Sequence, residues 1–321
     1  MNQKIKVFID GKEGTTGLQI YDRMMARGDV ELLLLPDDLR KDVDARREFI
    51  NKSDVTFLCL PDAAAIEAAA LCENEKTIII DASTAHRTHP DWDYGFPELS
   101  AAHREAIKVS RRIANPGCHA SGFLALVYPL VKMGIIAPDY PLVSYSLTGY
   151  SGGGKKMIAE YEAADRDVLL DSPRQYAIGQ THKHLREMQA VAGLTHPPVF
   201  SPIVGDFAQG MEVSVPLYGH LMSGVSNLEE LHAKFCAYYN GQPMVEVLPL
   251  MGEGVLDRGF VPSNMYASDN RMHILIAGNL KDGDGRVLLC ALFDNLGKGA
   301  SGAAVQNMNI ALGLDECMGL I

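Results

Sequence analysis

Short apolar segments alternate with helix-forming segments over the first 85 residues, and this alternation limits what the chain can fold into. The apolar segments are KIKVFID, VELLLLP, DVTFLCLP and KTIIID, and amphipathic or Ala-rich stretches separate them. Continuous apolar strands are typical of parallel strands that are buried on both faces and joined by helical crossovers. The alternation therefore predicts an N-terminal α/β domain with a doubly wound, Rossmann-like sheet.

The pattern changes near residue 115. A long apolar helix is predicted after NPGC, and two apolar strands, RMHILIAGNL and RVLLCALFD, are separated by KDGDG. Asp-Gly in so short a connection predicts a hairpin. We therefore expect a second, α+β domain with a mixed or antiparallel sheet over residues 117–295. Residues 1–116 and 296–321 are predicted to form the first domain, to which the small helical tail returns.

Charge and cysteine usage exclude several classes of function. Lys and Arg total 29 and Asp and Glu total 40, which gives a formal net charge of −11. So acidic a chain disfavours nucleic acid and anionic membranes as partners. No apolar run approaches the ~20 residues of a membrane span, and the first residues leave no room for a signal peptide. Six cysteines without a C-x-x-C pair predict neither a zinc site nor a disulfide framework. We expect a cytoplasmic protein that acts on small molecules.

Gly11, Gly14 and Gly17 form a G-x-x-G-x-x-G sequence between the first strand and the first helix. Glycine lets the backbone approach a pyrophosphate closely, and the helix N-terminus offers N–H groups and the positive end of a dipole. Thr15 and Thr16 add hydroxyl donors. An ordinary tight turn is the alternative, but a strand before and a helix after favour binding of a dinucleotide.

The end of the second strand usually selects between NAD and NADP. An acidic residue there binds the ribose 2′-hydroxyl, and a basic residue accepts the 2′-phosphate. Asp37 and Asp38 favour NAD, whereas Arg40 and Lys41 favour NADP. The residues alone leave this choice open.

Cys118 ends the NPGC sequence and begins the predicted apolar helix. A thiol in the first turn lies at the positive end of the helix dipole, which favours the thiolate. A thiolate attacks acyl carbons, so Cys118 is a candidate nucleophile. A buried cysteine at the start of a helix is the alternative.

Several motifs occur together with NPGC in one order along nearly the whole chain. They are DAS-x-x-x-R at Asp81–Arg87, GYSGGGK at Gly149–Lys155, HKH-x-x-E at His182–Glu187 and DNLGKGASGAA-x-Q-N at Asp294–Asn307. With the glycine-rich turn, this set resembles the short form of the N-acetyl-γ-glutamyl-phosphate reductase family, which is related in fold to aspartate-semialdehyde dehydrogenase. Two positions depart from the larger form of that family. His119 stands where that form has Tyr, and the segment 200–204 lacks the histidine of its Pro-His-Leu sequence.

The resemblance implies an NADP-dependent, phosphorylating aldehyde dehydrogenase of arginine biosynthesis. The Cys118 thiolate would attack N-acetyl-γ-glutamyl phosphate, release inorganic phosphate and form a thioester, which NADPH reduces to the semialdehyde. Ser83 would contact the cofactor, and a dimer or tetramer of identical chains is expected. The alternatives are a related reductase of aspartyl phosphate or of carrier-linked glutamyl or aminoadipyl phosphate. A nucleotide-sensing protein that has lost the chemistry is a different class of alternative.

Reduction of a thioester needs a general acid, and histidine suits neutral pH. His184 and Glu187 share a helix face, so we predict His184 as the acid/base and Glu187 as the group that orients it. His182 points about 200° away on a continuous helix and is predicted to contact the substrate, unless it precedes the first turn. His119 is a third candidate. Solvated histidines are the alternative, and H-x-H without a third ligand argues against a metal.

The substrate carries anionic groups that need hydrogen-bond donors. The backbone N–H groups of Ser151, Gly152 and Gly153 are predicted to cradle a carboxylate or phosphate, with Lys155 adding charge. A mobile surface loop is the alternative. Arg87, after a predicted strand end, is expected to bind substrate as well, or else to form a structural ion pair.

Overall fold

The computed structural model describes residues 4–321 as two compact units. In chain order the strands are β1 (Ile5–Asp10), β2 (Val30–Leu33), β3 (Val55–Leu58), β4 (Ile78–Asp81), β5 (Asp93–Tyr94), β6 (Arg112–Ala114), β7 (Val143–Gly149), β8 (Arg174–Gln175), β9 (Val199–Gly205), β10 (Met211–Tyr218), β11 (Val245–Val247), β12 (Met272–Gly278) and β13 (Arg286–Phe293). The helices are α1 (Thr15–Met25), α2 (Val43–Lys52), α3 (Asp62–Ala70), α4 (Ala101–Val109), α5 (Cys118–Lys132), α6 (Gly154–Glu162), α7 (His184–Ala192), α8 (Leu228–Tyr238) and α9 (Gly302–Ala311).

The first unit comprises residues up to 117 together with residues 300–321, and the second comprises residues 118–299. The sheet of the first unit has the order β2-β1-β3-β4-β6-β5, and its neighbouring strands are parallel. Strands β3 and β4 are buried along their whole length. The predicted α/β class and Rossmann-like sheet are confirmed, because helical crossovers cover both faces of such apolar strands.

Side-chain caps define where several helices begin. The Asp42 carboxylate accepts a hydrogen bond from the Ala45 N–H at the start of α2, and the Ser100 hydroxyl accepts from the His103 N–H at the start of α4. Each cap satisfies one of the N–H groups that a first turn leaves without a helical partner. The charged stretch after β2 therefore forms a helix of defined length and returns the chain to the sheet.

The C-terminal helix belongs to the first unit. Helix α9 packs against α1, α4 and β4, and its residues from Gly302 to Ile310 are buried. Its polar side chains are hydrogen-bonded within that unit: the Gln306 amide donates to Glu98, and the Asn309 carbonyl oxygen accepts from Arg27. These hydrogen bonds offset the free-energy cost of burying polar amide groups among apolar side chains.

The sheet of the second unit is mixed, with the order β11-β12-β13-β10-β7-β9-β8. Strands β7 and β9 are parallel, as are β11 and β12, and the remaining neighbours are antiparallel. The predicted hairpin is confirmed between β12 and β13. Its tip has positive φ at Asp282 (51°) and Gly283 (77°), as the tight turns of right-twisted hairpins require.

Helix α5 is the core of the second unit. It is buried on every side from His119 to Leu130 and packs against β10, β13 and α7. An apolar helix of this kind needs such cover, because little of its surface can face water. Residues 4–321 contain no helix that is both long and apolar enough to cross a membrane.

Candidate active site and nucleotide pocket

The three glycines of the turn between β1 and α1 differ in whether the structure would accept a side chain at that position. Gly11 has φ +88°, and a Cβ there would lie 2.4 Å from the carbonyl oxygen of Cys59. A Cβ at Gly17 would lie 2.4 Å from the carbonyl oxygen of Gly11. Gly14 has no such constraint, since its nearest neighbour would be 3.6 Å away. Packing within the protein therefore explains Gly11 and Gly17, whereas a side chain at Gly14 would extend into a cavity.

That cavity, of about 200 Å³, lies over the N-terminus of α1 and is lined by Gly14, Thr15, Thr16, Gly17, Cys59, Leu60 and Ala82. The backbone N–H groups of a first helical turn point along the axis toward such a space. The turn thus has the geometry of an anion site at the positive end of a helix dipole.

A second cavity of the same unit, of about 210 Å³, begins at the other side of the turn. Its walls include the apolar segment Leu32–Leu35 and the ring of Tyr21, with Asp37, Arg40 and Lys41 at the end of β2. The Asp37 carboxylate lies 3.4 Å from the Lys12 ammonium, and both side chains are exposed. One of the two acidic residues predicted to favour NAD, Asp37, is therefore already paired with a cation, while Arg40 and Lys41 line the same cavity.

Ser83 belongs to a buried polar network at the end of β4. Its hydroxyl donates to Asp81 Oδ2 over 2.7 Å, and its N–H donates to Asp81 Oδ1 over 2.9 Å. The His86 imidazole is hydrogen-bonded to the same carboxylate over 2.6 Å and stacks on the Trp92 ring. Ser83 thus helps to fix the segment after β4, and the predicted contact with a cofactor stays a prediction.

Arg87 is buried, and its guanidinium braces two backbone segments of the first unit. Nε donates to the carbonyl oxygen of Asn115 over 2.9 Å, and a terminal nitrogen donates to that of Ala82 over 3.0 Å. The Asn115 side chain is in turn hydrogen-bonded to Asn307 and to the carbonyl oxygen of Ala300. Arg87 and Asn307 therefore hold the NPGC segment, and the predicted choice between a substrate contact and an ion pair stays open.

Cys118 is the first residue of α5, as predicted, and is half-buried. A Cβ at Gly299 would lie 3.0 Å from the Cβ of Cys118, so the late glycine-rich segment approaches the thiol closely. Any larger residue at Gly299 would force one of the two segments to move.

The histidines before and in α7 lie together. Helix α7 begins at His184, so His182 precedes it, and the His184 N–H donates to His182 Nδ1 over 3.2 Å. The two ring centroids are 4.7 Å apart. The predicted exception therefore applies: His182 precedes the first turn of α7, so no continuous helix separates the two rings. His184 and Glu187 are both buried on α7.

His119 joins this cluster from the first turn of α5. Its ring centroid is 5.6 Å from those of His182 and His184. Nδ1 is hydrogen-bonded to Ser146 Oγ (2.8 Å) and Nε2 to Tyr176 Oη (2.7 Å). Burial, together with the neighbouring His182, lowers the pKa of His119 to about 3, so the ring is neutral throughout the physiological range.

The predicted anion cradle at GYSGGGK is wrong in one of its donors. The Ser151 N–H donates to the carbonyl oxygen of Ala208 over 3.2 Å, and the buried Ser151 hydroxyl accepts from the Asn295 amide over 3.0 Å. The Ser151 N–H is therefore used in holding this turn of the chain and is not offered to a bound anion. Gly152 and Gly153 are exposed, and Lys155 is exposed in the first turn of α6.

Tyr176, Gln180 and Asn295 complete the second unit's site, and the sequence did not single them out. The Gln180 side chain forms two hydrogen bonds with the backbone of Phe200 (2.8 and 2.9 Å), as a neighbouring strand would. The Phe200 ring contacts both His119 and His182, with ring centroids 5.3 Å apart in each case. Gln180 makes these hydrogen bonds from a backbone with a positive φ of 55°, a conformation that no sequence pattern predicted. Within residues 4–321, no group of three or more His, Cys, Asp or Glu side chains is arranged so that it could hold a metal ion.

Comparisons with known families cover both units. The semialdehyde dehydrogenase NAD-binding domain family matches residues 37–109, and the semialdehyde dehydrogenase dimerisation domain family matches residues 118–295. The second match alone covers more than half of the chain.

Curated relatives match almost end to end. The chain is 44% identical to "N-acetyl-gamma-glutamyl-phosphate reductase 2" of Nostoc sp. over 322 residues, which cover 99% of each chain. It is 46% identical to "N-acetyl-gamma-glutamyl-phosphate reductase" of Brucella ovis over 312 residues, which cover 97% of this chain and 99% of the relative.

Solved structures share the fold at low identity. Aspartate semialdehyde dehydrogenase II of Vibrio cholerae, complexed with ASA, has a TM-score of 0.72 at 14% identity and covers 97% of this chain and 99% of its own. The aspartate semialdehyde dehydrogenase of Francisella tularensis has a TM-score of 0.69 at 15% identity, with 95% and 99% covered. At such identity the likeness concerns the fold alone.

Proposed function

The chain belongs to the semialdehyde dehydrogenase family, and on that premise we propose that it reduces N-acetyl-γ-glutamyl phosphate to N-acetylglutamate 5-semialdehyde and inorganic phosphate, a step of arginine biosynthesis. The relatives that match nearly all of both chains bear the name of this activity. The observation that carries the proposal within the molecule is the position of Cys118, at the N-terminus of a buried helix and next in the chain to a cluster of three histidines.

The proposed reaction proceeds through a thioester. The Cys118 thiolate attacks the γ-carbonyl carbon, the carbon–oxygen bond to phosphate breaks, and inorganic phosphate leaves with the electron pair. The bound nicotinamide supplies the hydride that reduces the acyl group. The general acid that protonates the oxygen at the hydride step takes that proton back as the carbon–sulfur bond breaks, which yields the semialdehyde and returns the thiolate. Close packing against Gly299 supports this role, since it restricts the directions in which the thiol can be approached.

We propose His184 as the proton donor at the hydride step and Glu187 as the residue that orients it. Both side chains are buried on α7, and a buried carboxylate one turn away can fix the tautomer of an imidazole. His182, which stacks edge-on against His184 and also borders Phe200, is proposed to bind the substrate. His119 is unsuited to carry a proton, because burial lowers its pKa to about 3.

We propose NADP(H) as the cofactor, held at the turn between β1 and α1. The support is the lining of the cavity at the end of β2, where Arg40 and Lys41 can accept a 2′-phosphate. The pairing of Asp37 with Lys12 leaves that carboxylate less suited to bind a 2′-hydroxyl. Thr15, Thr16 and Gly14 are proposed to bind the pyrophosphate, and Ser83 to border the cofactor.

The remaining proposed substrate contacts are Gly152, Gly153, Lys155 and Arg87. Support for the first three is their exposure around the first turn of α6, where backbone N–H groups and an ammonium favour an anion. Ser151 is proposed to act through its hydroxyl, which the Asn295 amide holds in place. For Arg87 we propose that the guanidinium adds to substrate binding while it braces the NPGC segment.

A homo-oligomer, at least a dimer, is proposed to form through the open face of the second unit's sheet. Helix α5 packs on one face of this sheet against β10 and β13, while the other face carries exposed apolar side chains at Val143, Tyr145, Val199 and Tyr218. An apolar face of this extent suits a subunit interface, and the matched family is described as a dimerisation domain. Six cysteines without a disulfide support the proposal of a reducing, cytoplasmic environment.

One assay tests the proposed function. N-acetylglutamate semialdehyde, phosphate and NADP⁺ should give NADPH at a rate that depends on all three, since the reaction is reversible through the thioester. Aspartate semialdehyde and free glutamate semialdehyde serve as comparison substrates. A higher kcat/KM with aspartate semialdehyde would instead support the related reductase of aspartyl phosphate, and cofactor binding without turnover of any acyl group would support a nucleotide-sensing protein.

A further inference from the structure

A chain of hydrogen bonds runs from the sheet of the second unit through His119, the residue that follows Cys118. It begins at the Ser146 hydroxyl on β7, passes through both nitrogens of His119 and ends at the Tyr176 hydroxyl after β8. Ser146 is fully buried and His119 is 3% exposed, whereas Tyr176 is partly exposed. The proposed function uses none of these three groups.

The direction of donation in this chain follows from counting protons. A neutral imidazole has one N–H donor and one acceptor nitrogen. If His119 Nδ1 carried the proton, the Ser146 hydroxyl would only accept, and its own proton would have no acceptor among residues 4–321 although the group is fully buried. A buried donor without an acceptor costs about 1–3 kcal/mol. If His119 Nε2 carries the proton instead, the Ser146 hydroxyl donates to Nδ1 and Nε2–H donates to Tyr176. The only proton of these three groups then left without an acceptor among residues 4–321 is that of the Tyr176 hydroxyl, which is partly exposed and can donate to a ligand or water.

The favoured arrangement therefore runs outward. Ser146 donates to His119 Nδ1, and His119 Nε2–H donates to Tyr176 Oη. The Tyr176 hydroxyl then points its own proton away from His119, with no acceptor among the described residues 4–321. Burial, and after it the negative charge of the Cys118 thiolate, raises the pKa of the Tyr176 phenol. A phenol with a raised pKa keeps its proton and donates it only as a hydrogen bond.

We propose that Tyr176 is a catalytic residue whose phenol donates a hydrogen bond to the oxygen of the acyl carbon bonded to Cys118, and that His119 is the positioning residue that keeps this phenol a donor. The proposal rests on the covalent role of Cys118 in the proposed function. No proton is transferred from tyrosine at any step: the hydrogen bond stabilises the negative charge that develops on that oxygen. The proton that turns this oxygen into the hydroxyl of the thiohemiacetal comes from the separate general acid, which takes it back when the carbon–sulfur bond breaks.

The chemistry needs such a group because a buried histidine cluster offers few donors. His119 is neutral and both its nitrogens are engaged, so it cannot serve as donor itself. A neutral phenol held by an imidazole stabilises an oxyanion without a change of protonation, and so at every pH where the enzyme works. Preorganised donors of this kind account for much of the rate gain in acyl transfer.

Tyr176→Phe is the first test, with the semialdehyde oxidation assay as the readout. Loss of one oxyanion donor should lower kcat on the order of 10²-fold. The KM for NADP⁺ and the rate at which iodoacetamide alkylates Cys118 should stay unchanged, because neither involves the acyl oxygen. Tyr239→Phe is the matched control: its buried hydroxyl donates to Ala125 in the same helix, α5, so it should lower the melting temperature while kcat stays within about twofold.

His119 is tested by two amides of different length. His119→Gln carries an amide N–H near the position of Nε2 and should retain most of the turnover, whereas His119→Asn reaches only toward Ser146 and should lose it. The double variant His119→Asn/Tyr176→Phe should be no slower than Tyr176→Phe alone, since both changes remove the same donor. Independent, multiplicative losses would overturn the positioning role, and Tyr176→Phe with wild-type kcat would overturn the catalytic one.

The two proposals fail in different experiments. If Cys118→Ser keeps wild-type turnover, the covalent mechanism fails and the role of Tyr176 fails with it. If Cys118→Ser is inactive and Tyr176→Phe is fully active, only the further inference fails. A changed alkylation rate in Tyr176→Phe would also overturn it, because the tyrosine would then act on the thiol and not on the acyl oxygen.

Discussion

The two units form their candidate sites in different ways. In the first unit, one continuous strand–turn–helix–strand segment, residues 8–41, supplies most of the walls of the nucleotide cavity. In the second unit, the cluster around His119 brings together α5, β7, the segment before α7 and β9. A local site depends on backbone geometry that its own residues dictate. A site assembled from distant segments depends on the packing of the whole unit, so a single change there reaches several functional groups.

The largest effect is expected at Cys118, the proposed nucleophile. Cys118→Ser should reduce turnover to below about a tenth of the wild-type rate, because a hydroxyl is far less ionised than a thiol and a poorer nucleophile toward an acyl carbon. NADPH binding to the first unit, measured by fluorescence, should stay unchanged. Loss of NADPH binding in this variant would break the comparison, because it would make the two sites interdependent.

The second effect concerns the proton donor. His184→Asn should lower kcat by ~10²–10⁴, the usual contribution of a general acid. Glu187→Gln should cost less, since it disturbs only the orientation of the ring, and His182→Asn should act mainly on the KM for the acyl substrate. The measurement is kcat under saturating substrate for the three variants. If His182→Asn abolishes kcat while His184→Asn only raises KM, the two roles are exchanged.

A smaller effect is expected at the end of β2. Arg40→Ala should weaken NADP binding by roughly 10–100-fold, because a charged hydrogen bond to phosphate contributes about 1.5–3 kcal/mol. NAD binding should change little, so the ratio of the two kcat/KM values is the measurement. Equal losses for both cofactors would indicate that Arg40 supports the fold of the cavity and does not select the cofactor.

The smallest effect is expected at Gly14. It tests whether the first unit's site depends only on backbone geometry within its own turn. Gly14→Val should raise the KM for NADPH by about tenfold with a nearly unchanged melting temperature, because a Cβ there meets no protein atom closer than 3.6 Å. Gly17→Ala should instead destabilise the protein, since its Cβ would lie 2.4 Å from a carbonyl oxygen. Gly28→Val, in open space, is the control. Normal NADPH binding by Gly14→Val would contradict the pyrophosphate site.

The same contrast explains how far the sequence could predict the structure. The first unit's sheet and glycine-rich turn follow from patterns a few residues long, and they were predicted. The hairpin between β12 and β13 followed from Asp-Gly at its tip. In the second unit the position of Cys118 followed from its helix, but the partners of that helix did not, because they come from segments that lie far apart in sequence.

Particular residues show what pattern reasoning lacked. The relation of His182 to His184 depended on where α7 begins, and a lysine at its N-cap position gives no boundary signal. Ser151 was expected to offer its N–H to an anion, but the distant carbonyl of Ala208 takes that hydrogen bond. The Gln180 side chain forms the two hydrogen bonds to the Phe200 backbone that a neighbouring strand would form, and residue periodicity does not predict such a contact. Each of these depends on tertiary contacts that override local preference.

The contact between Gly299 and Cys118 has a consequence for how such a chain can be rearranged. These are the last and first residues of the second unit, and their approach means that this unit begins and ends at one point. The flanking Asn115 and Ala300 are likewise hydrogen-bonded within the first unit. The chain thus has the order of a domain insertion, in which residues 118–299 form one unit between the two segments that make up the other. Exchange of the inserted unit between relatives at 117/118 and 299/300 would carry Cys118 with it and leave the two segments of the first unit in place.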